Sequence, residues 1–308
     1  MNPRALPADR LFAAYNAVLA VVWCTVPAGE AWAPAMAALH AAGATLPWLL
    51  ARLPERLPPA VRCLREGYPM LLLLPTWAEL GWLAAVRQLP THDGAIAALD
   101  RTVFGTHYHL AWRRAAPGLA EVMFLFYVLY YLTIFVPPVV LALRRRLDAY
   151  RDFSFRVLVA FLGCYVCYLA FPVIGPRALA GHHAPAGGAL ELLSETLHAT
   201  GDSPGTAFPS SHVTGTVTIA WLAWRWLPRP AAWLLTALAV AVAVAAIYTG
   251  NHFTVDVVAG LVWVAILQIL VAPWFERRIP GAPAVVSSAA GSLLGRRAKA
   301  LPREGGAT

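Results

Sequence analysis

Charge is scarce in this sequence. Asp, Glu, Lys and Arg make up 13% of 308 residues, and the one lysine is Lys299. Soluble domains average about 25% charged and roughly 45–50% apolar residues, whereas this chain is 59% hydrophobic. That balance excludes a disordered chain and sets the protein apart from ordinary soluble enzymes. Cysteine is also thin. Cys24, Cys63, Cys164 and Cys167 are too few and too scattered for a disulfide framework. Cys164 and Cys167 have redox spacing, but they sit in an apolar run with nothing nearby to stabilise a thiolate, so they read as packing residues. There is no internal repeat.

What the sequence has instead is long apolar runs. Eight segments read as membrane spans: roughly 11–28, 31–50, 68–87, 118–143, 155–174, 210–227, 231–249 and 256–275. At ~20 residues each they use about 160 residues, which leaves little for a second soluble domain. The first run has the flanks of a signal peptide, with Arg4 and Arg10 before it, but its removal would break the charge pattern described next. Segment 100–113 is too polar to span, and its Phe104, Tyr108 and Trp112 suit a helix lying at the interface. The expected fold is all-α, a polytopic transmembrane bundle of about eight spans. Residues 1–117 would form the N-terminal spans and the interfacial segment, 118–278 a catalytic bundle, and 279–308 a disordered cytoplasmic tail rich in Ala, Gly, Ser and Pro.

The basic residues are lopsided. Nineteen of the 24 lie in connections on one side of an eight-span layout, including Arg52 to Arg65, Arg144 to Arg156 and the C-terminal group. Arg87, Arg101, Arg113, Arg114 and Arg177 lie on the other. The positive-inside rule then places both termini in the cytoplasm of what composition suggests is a bacterial inner membrane. It also accounts for the net charge of +8 without nucleic acid, because the charge is spread over five separate segments.

Ionisable groups at span ends are the informative residues in a bundle this apolar, and on the arginine-poor side they gather in three places. The exit of the fifth span ends at Arg177. The sixth begins Pro209-Ser210-Ser211-His212. Asn251-His252-Phe253-Thr254-Val255-Asp256 joins the last two. Each piece alone has a plain alternative. Ser210 and Ser211 can cap a helix whose N-terminus is a ready anion site, or do no more than cap it. His252 and Asp256, four apart, share a helix face; the carboxylate can fix the imidazole tautomer, or the pair can stitch two helices together. Arg177 can bind phosphate bidentately or anchor the chain at the interface. Together they form a cation, an anion-binding helix start, a proton-donating histidine and an oriented second histidine. That set suits phosphoryl transfer without a metal.

At these residues the chain resembles the type 2 phosphatidic acid phosphatase superfamily, kin to the vanadium haloperoxidases, over roughly residues 120–275. Pro209-Ser210-Ser211-His212 is similar to the family's Pro-Ser-Gly-His, with Ser211 in place of glycine. His252 to Asp256 is similar to its His-x-x-x-Asp, and Arg177 answers the arginine of its first element. The resemblance implies a six-helix phosphatase-type core. It implies that His252 is the nucleophile, Asp256 its orienting partner and His212 the general acid. Ser210, the Ser211 backbone and Arg177 would hold phosphate oxygens.

Two departures stand out. The family's first lysine has no counterpart near Cys167 to Phe171, and its Ser-Arg pair falls on Ala245-Ala246. Asn251, His182 and His183 are candidate replacements. A missing arginine before His-x-x-x-Asp, together with the run Leu99 to Gly105, looks like the inositol phosphorylceramide synthase branch.

The resemblance therefore implies a membrane enzyme that hydrolyses a lipid phosphate through a phosphohistidine at the extracytoplasmic face. The alternative is a headgroup phosphotransferase (an inositolphosphotransferase) using the same residues. A non-catalytic binding or transport protein is a further alternative. The expected partners are the bilayer and a lipid phosphate or phospholipid substrate, with no cofactor. His182, His183, His198 and Asp202 show no recognisable metal-ligand spacing and read as surface groups. Residues 189–199 read as a short amphipathic helix over the site.

Overall fold

A computed structural model describes residues 6–27, 29–54, 57–179, 187–201 and 203–277. Ala28, His182, His183, Asp202 and the 279–308 tail lie outside the described residues. Helices and the loops that join them make up the described residues, with one isolated parallel bridge between Val173 and Thr206. In chain order the helices are α1 (Pro7–Cys24), α2 (Ala33–Leu50), α3 (Pro59–Leu71), α4 (Leu73–Arg87), α5 (Asp93–Phe104), α6 (Tyr108–Ala115) and α7 (Ala120–Leu143). They continue as α8 (Leu147–Ala170), α9 (Ala189–Gly201), α10 (Ser211–Trp226), α11 (Arg229–Tyr248), α12 (Thr254–Ile266) and α13 (Ala272–Arg277), the last two joined by a π-helical turn at Leu267–Val271.

Helices occupy all eight apolar segments read from the sequence. Five are long and apolar enough to cross a membrane: Pro59–Arg87, Pro117–Leu143, Leu147–Ala170, Arg229–Tyr248 and Thr254–Arg277. The others fall short for visible reasons. α10 has 16 residues and carries Thr214, Thr216 and Thr218, all buried inside the bundle. α1 includes Asp9, Arg10 and Asn16, and α2 includes His40.

α8 is the central column. Phe153, Val157, Leu158 and Cys164 on it are fully buried, and α1, α3, α4, α7 and α10 pack around it. Gly260 lets α12 approach the start of α10: a Cβ there would lie 2.8 Å from the Ser210 carbonyl oxygen. In the N-terminal helices four polar side chains replace apolar packing. The His40 Nδ1–H donates to Asn16 Oδ1 at 2.9 Å, and Asn16 Nδ2 donates to the Phe12 carbonyl. His40 Nε2 lies 2.6 Å from Glu79 Oε1, which also accepts from the Trp23 indole. Unpaired, each of these buried groups would be costly, so the chain of contacts pins α1, α2 and α4 in one register.

The two ends of the bundle differ. At the end where α3 and α8 begin and α10 finishes, arginines meet acids. Arg65 grips Asp9 with two bonds, Arg62 and Arg151 share Glu66, and Arg156 joins Asp152 to Glu276. The candidate site lies at the other end.

Candidate active site

Three chain segments meet at the opposite end: the exit of α8, the start of α10, and the turn between α11 and α12. Backbone bonds hold them together. The Val173 amide donates to the Gly205 carbonyl at 3.2 Å, and the Ala207 amide to the Val173 carbonyl at 2.7 Å. The Ser210 amide donates to the Asp256 carbonyl at 3.1 Å. Gly175 has φ +100°, open to glycine but strained for other residues. A Cβ there would lie 2.8 Å from the Asn251 carbonyl oxygen, so the Arg177 loop rests directly on the residue before His252.

The structure brings the two histidines together across 40 residues. His212 Nδ1 lies 3.1 Å from His252 Nε2. The His252 ring is buried and the His212 ring is half-buried. Tyr127 stacks on the His212 ring at 4.7 Å and Tyr130 tilts against it at 4.1 Å. Behind His252, its Nδ1 is 3.6 Å from Asp256 Oδ2. The contact does not arise from a shared helix face as the spacing suggested. His252 sits in the turn before α12, and Asp256 is in the first turn of that helix. Asp256 Oδ2 accepts the Phe253 amide at 2.7 Å, closing the helix start and aiming its carboxylate at the imidazole. His252 Nδ1, His212 Nε2 and Asp256 Oδ1 are enclosed without a hydrogen-bond partner among the described residues. Unpaired polar atoms in so buried a cluster are uncommon and mark it out.

Ser210 and Ser211 open α10, but the Ser210 hydroxyl caps it by accepting the Val213 amide. The anion-binding capacity here is therefore the helix N-terminus itself, with its positive dipole end and amides. Asn251 lies within the site turn, and its side-chain amide donates to Thr249 Oγ1 at 2.8 Å. Ala245 and Ala246 are fully buried apolar residues with no cationic character.

Arg177 is engaged. Its guanidinium makes a two-point pair with Glu195 of α9, with Nη1 to Oε1 at 2.9 Å and Nη2 to Oε2 as the second bond. Helix α9 is the amphipathic segment read from the sequence, and it packs on α7. Glu121 of α7 accepts its first amides. One turn before Glu195, Glu191 holds Arg113 of α6 at 2.8 Å. His198 of α9 lies 3.2 Å from the Tyr127 hydroxyl, on the tyrosine that stacks on His212. Among the described residues no group of three His, Cys, Asp or Glu is placed to hold a metal.

Sequence reasoning missed several neighbours. Tyr127 and Tyr130 follow Phe124 at helical spacing, which signals a buried face but not an aromatic clamp on a histidine. Asp100, in the polar segment read as interfacial, is fully buried, and its Oδ1 accepts the Val255 amide at 3.0 Å. That segment is two helices, α5 and α6, packed against α12 and α11 respectively.

Comparison with known families agrees with this geometry. The PAP2 superfamily pattern matches residues 94–270, more than half the chain, and the protein belongs to that superfamily. Its members are phosphatases or phosphotransferases. The match begins at α5, so it takes in the two helices before α7. Its apolar helices and family membership mark it as an integral membrane protein. No curated protein and no solved structure matched it.

Proposed function

We propose that this protein is an integral membrane phosphatase that hydrolyses a lipid phosphate through a phosphohistidine intermediate. The observation that carries the proposal is the 3.1 Å approach of His252 Nε2 to His212 Nδ1, with Asp256 behind His252. If the His252 Nδ1–H points to the Asp256 carboxylate as acceptor, the lone pair is on Nε2 and the His212 Nδ1–H is the donor to it. That is the protonation the reaction needs at its start.

In the first step His252 Nε2 attacks phosphorus. The N–P bond forms, the bond from phosphorus to the lipid oxygen breaks, and that oxygen takes a proton from His212, which enters the step as the imidazolium and leaves it neutral. In the second step water attacks phosphorus, His212 recovers a proton, and the N–P bond breaks to release phosphate. The start of α10 and Arg177 stabilise the oxygens as charge develops, once substrate displaces Glu195. With nineteen basic residues at the opposite end of an eight-span layout, the site faces the extracytoplasmic side and both termini face the cytoplasm.

The same residues support a headgroup phosphotransferase of the inositol phosphorylceramide synthase type, in which an alcohol replaces water in the second step. A cavity of about 220 Å³ favours keeping this second reading. It lies between α4 and the exit of α8, lined by Leu80, Leu83, Tyr168, Ile174 and Arg87. Tyr168 in its lining donates to the Pro209 carbonyl at 2.8 Å, just before the start of α10. The deciding experiment uses purified protein in detergent with a panel of lipid phosphates, with and without inositol or a lipid alcohol. Phosphate released without acceptor supports the phosphatase. A new phospholipid formed only with acceptor supports the transferase. Turnover of neither kind overturns both.

A further inference from the structure

α5 is a short helix, and its buried residues are Asp93, Ile96 and Asp100. The face it turns to the protein thus carries two carboxylates around one apolar residue, where an ordinary surface helix buries an apolar stripe. Each carboxylate accepts backbone amides from a different site segment. Asp93 Oδ1 accepts the Ile174 amide at 3.0 Å and the Gly175 amide at 2.7 Å, both in the loop that leads to Arg177. Next to it, the His92 amide donates to the Pro172 carbonyl at 2.9 Å, and the His92 ring stacks on Phe171 at 4.0 Å. Asp100 Oδ1 accepts the Val255 amide in the first turn of α12, between His252 and Asp256, and its Oδ2 lies 2.9 Å from His107 Nδ1. Between them, Ile96 packs in one cluster with Val173, Ala207 and Phe253, drawn from all three site segments.

We propose that Asp93 and Asp100 are positioning residues, and that α5 is a rigid spacer fixing the Arg177 loop relative to the His252 turn. This rests on the phosphatase reading above. The two carboxylates are seven positions apart along the helix, a rise of about 10 Å. A helix keeps that length constant, whereas the loops it joins cannot set it themselves. Ile96 alone would dock the helix. A carboxylate only accepts, so it also dictates which way the amides it holds must point. The Asp93 end thereby orients the segment entering Arg177, and the Asp100 end orients the turn that aims His252.

The two ends predict different kinetic losses. Asp93→Ala is expected to raise KM about tenfold with kcat within about twofold, because it loosens phosphate binding. Asp100→Ala is expected to lower kcat about tenfold or more with KM nearly unchanged, because it misaims the nucleophile. Asp93→Asn retains an Oδ1 acceptor for both amides and should restore most of the loss.

The assay uses the full chain in detergent. Active sites are counted by alkali-quenched phosphoenzyme, because a phosphohistidine survives base but not acid, so loss of folded protein is removed from both constants. The proposal is overturned if both alanine variants keep wild-type kcat and KM per active site, or if both lose the same constant. His252→Ala is run alongside. If it retains turnover, the phosphatase reading itself fails; if it is inactive and the split is absent, only the role of α5 fails.

Discussion

His212 Nδ1 and His252 Nε2 lie within hydrogen-bond distance of each other, which is closer than two groups flanking a phosphorus atom can be. A bound phosphoryl group must part the rings. Orthovanadate, a trigonal bipyramidal phosphate analogue, should therefore inhibit in competition with substrate, and His252→Ala should abolish binding of the analogue. Retention of tight vanadate binding in that variant would assign the anion site elsewhere.

Removing either ring should stop catalysis by different amounts. His252→Ala leaves no nucleophile, so no alkali-stable, acid-labile phosphoenzyme should form. His212→Ala removes only proton transfer and is expected to lower kcat by about 100- to 10,000-fold. It should act least on substrates with good leaving groups such as an aryl phosphate. An equal loss with alkyl and aryl esters would argue against His212 as the acid.

Glu195 occupies the guanidinium of Arg177 with the geometry a phosphate would use. Substrate and carboxylate must compete. Glu195→Gln is expected to lower KM several-fold, and Arg177→Ala to raise it, with lipid-chain preference unchanged in both. If Glu195→Gln raises KM instead, the pair is a scaffold that phosphate does not displace.

Glu79 sits between His40 and Trp23 in the N-terminal helices, remote from the site segments in sequence. Deleting one partner of a buried pair costs about 3–5 kcal/mol. Glu79→Ala should lower the unfolding midpoint in detergent markedly. kcat per counted active site should hold. A stable Glu79→Ala protein with reduced kcat would move this cluster from scaffold to chemistry.

The proposed two-step reaction uses only side chains of this chain. Activity should survive treatment with EDTA. Strict dependence on an added divalent ion would require a different mechanism.

The apolar runs and the three polar span ends were legible because each has a local signal: hydropathy for the spans, and residue type with spacing for Arg177, Ser210, His212, His252 and Asp256. Spacing alone misplaced His252, reading its contact with Asp256 as a helix-face pair. In the structure the chain turns at Gly250 and His252 precedes the helix. Asp93 and Asp100 were not legible as site neighbours. Their role depends on which backbone amides they meet, and Ile174, Gly175 and Val255 lie more than 80 residues away in sequence. The Glu195 partner of Arg177 was out of reach for the same reason: pairing across a loop leaves no periodic trace.

His212, His252 and Asp256 gather at one end of the bundle, while the other end holds Arg–Asp and Arg–Glu pairs such as Arg65 with Asp9 and Arg156 with Glu276. On the proposed reading, an enzyme built this way surveys a single leaflet: a phospholipid synthesised on the opposite monolayer stays invisible to it until a flippase brings the headgroup across, and the rate of that translocation sets the ceiling on flux through this site.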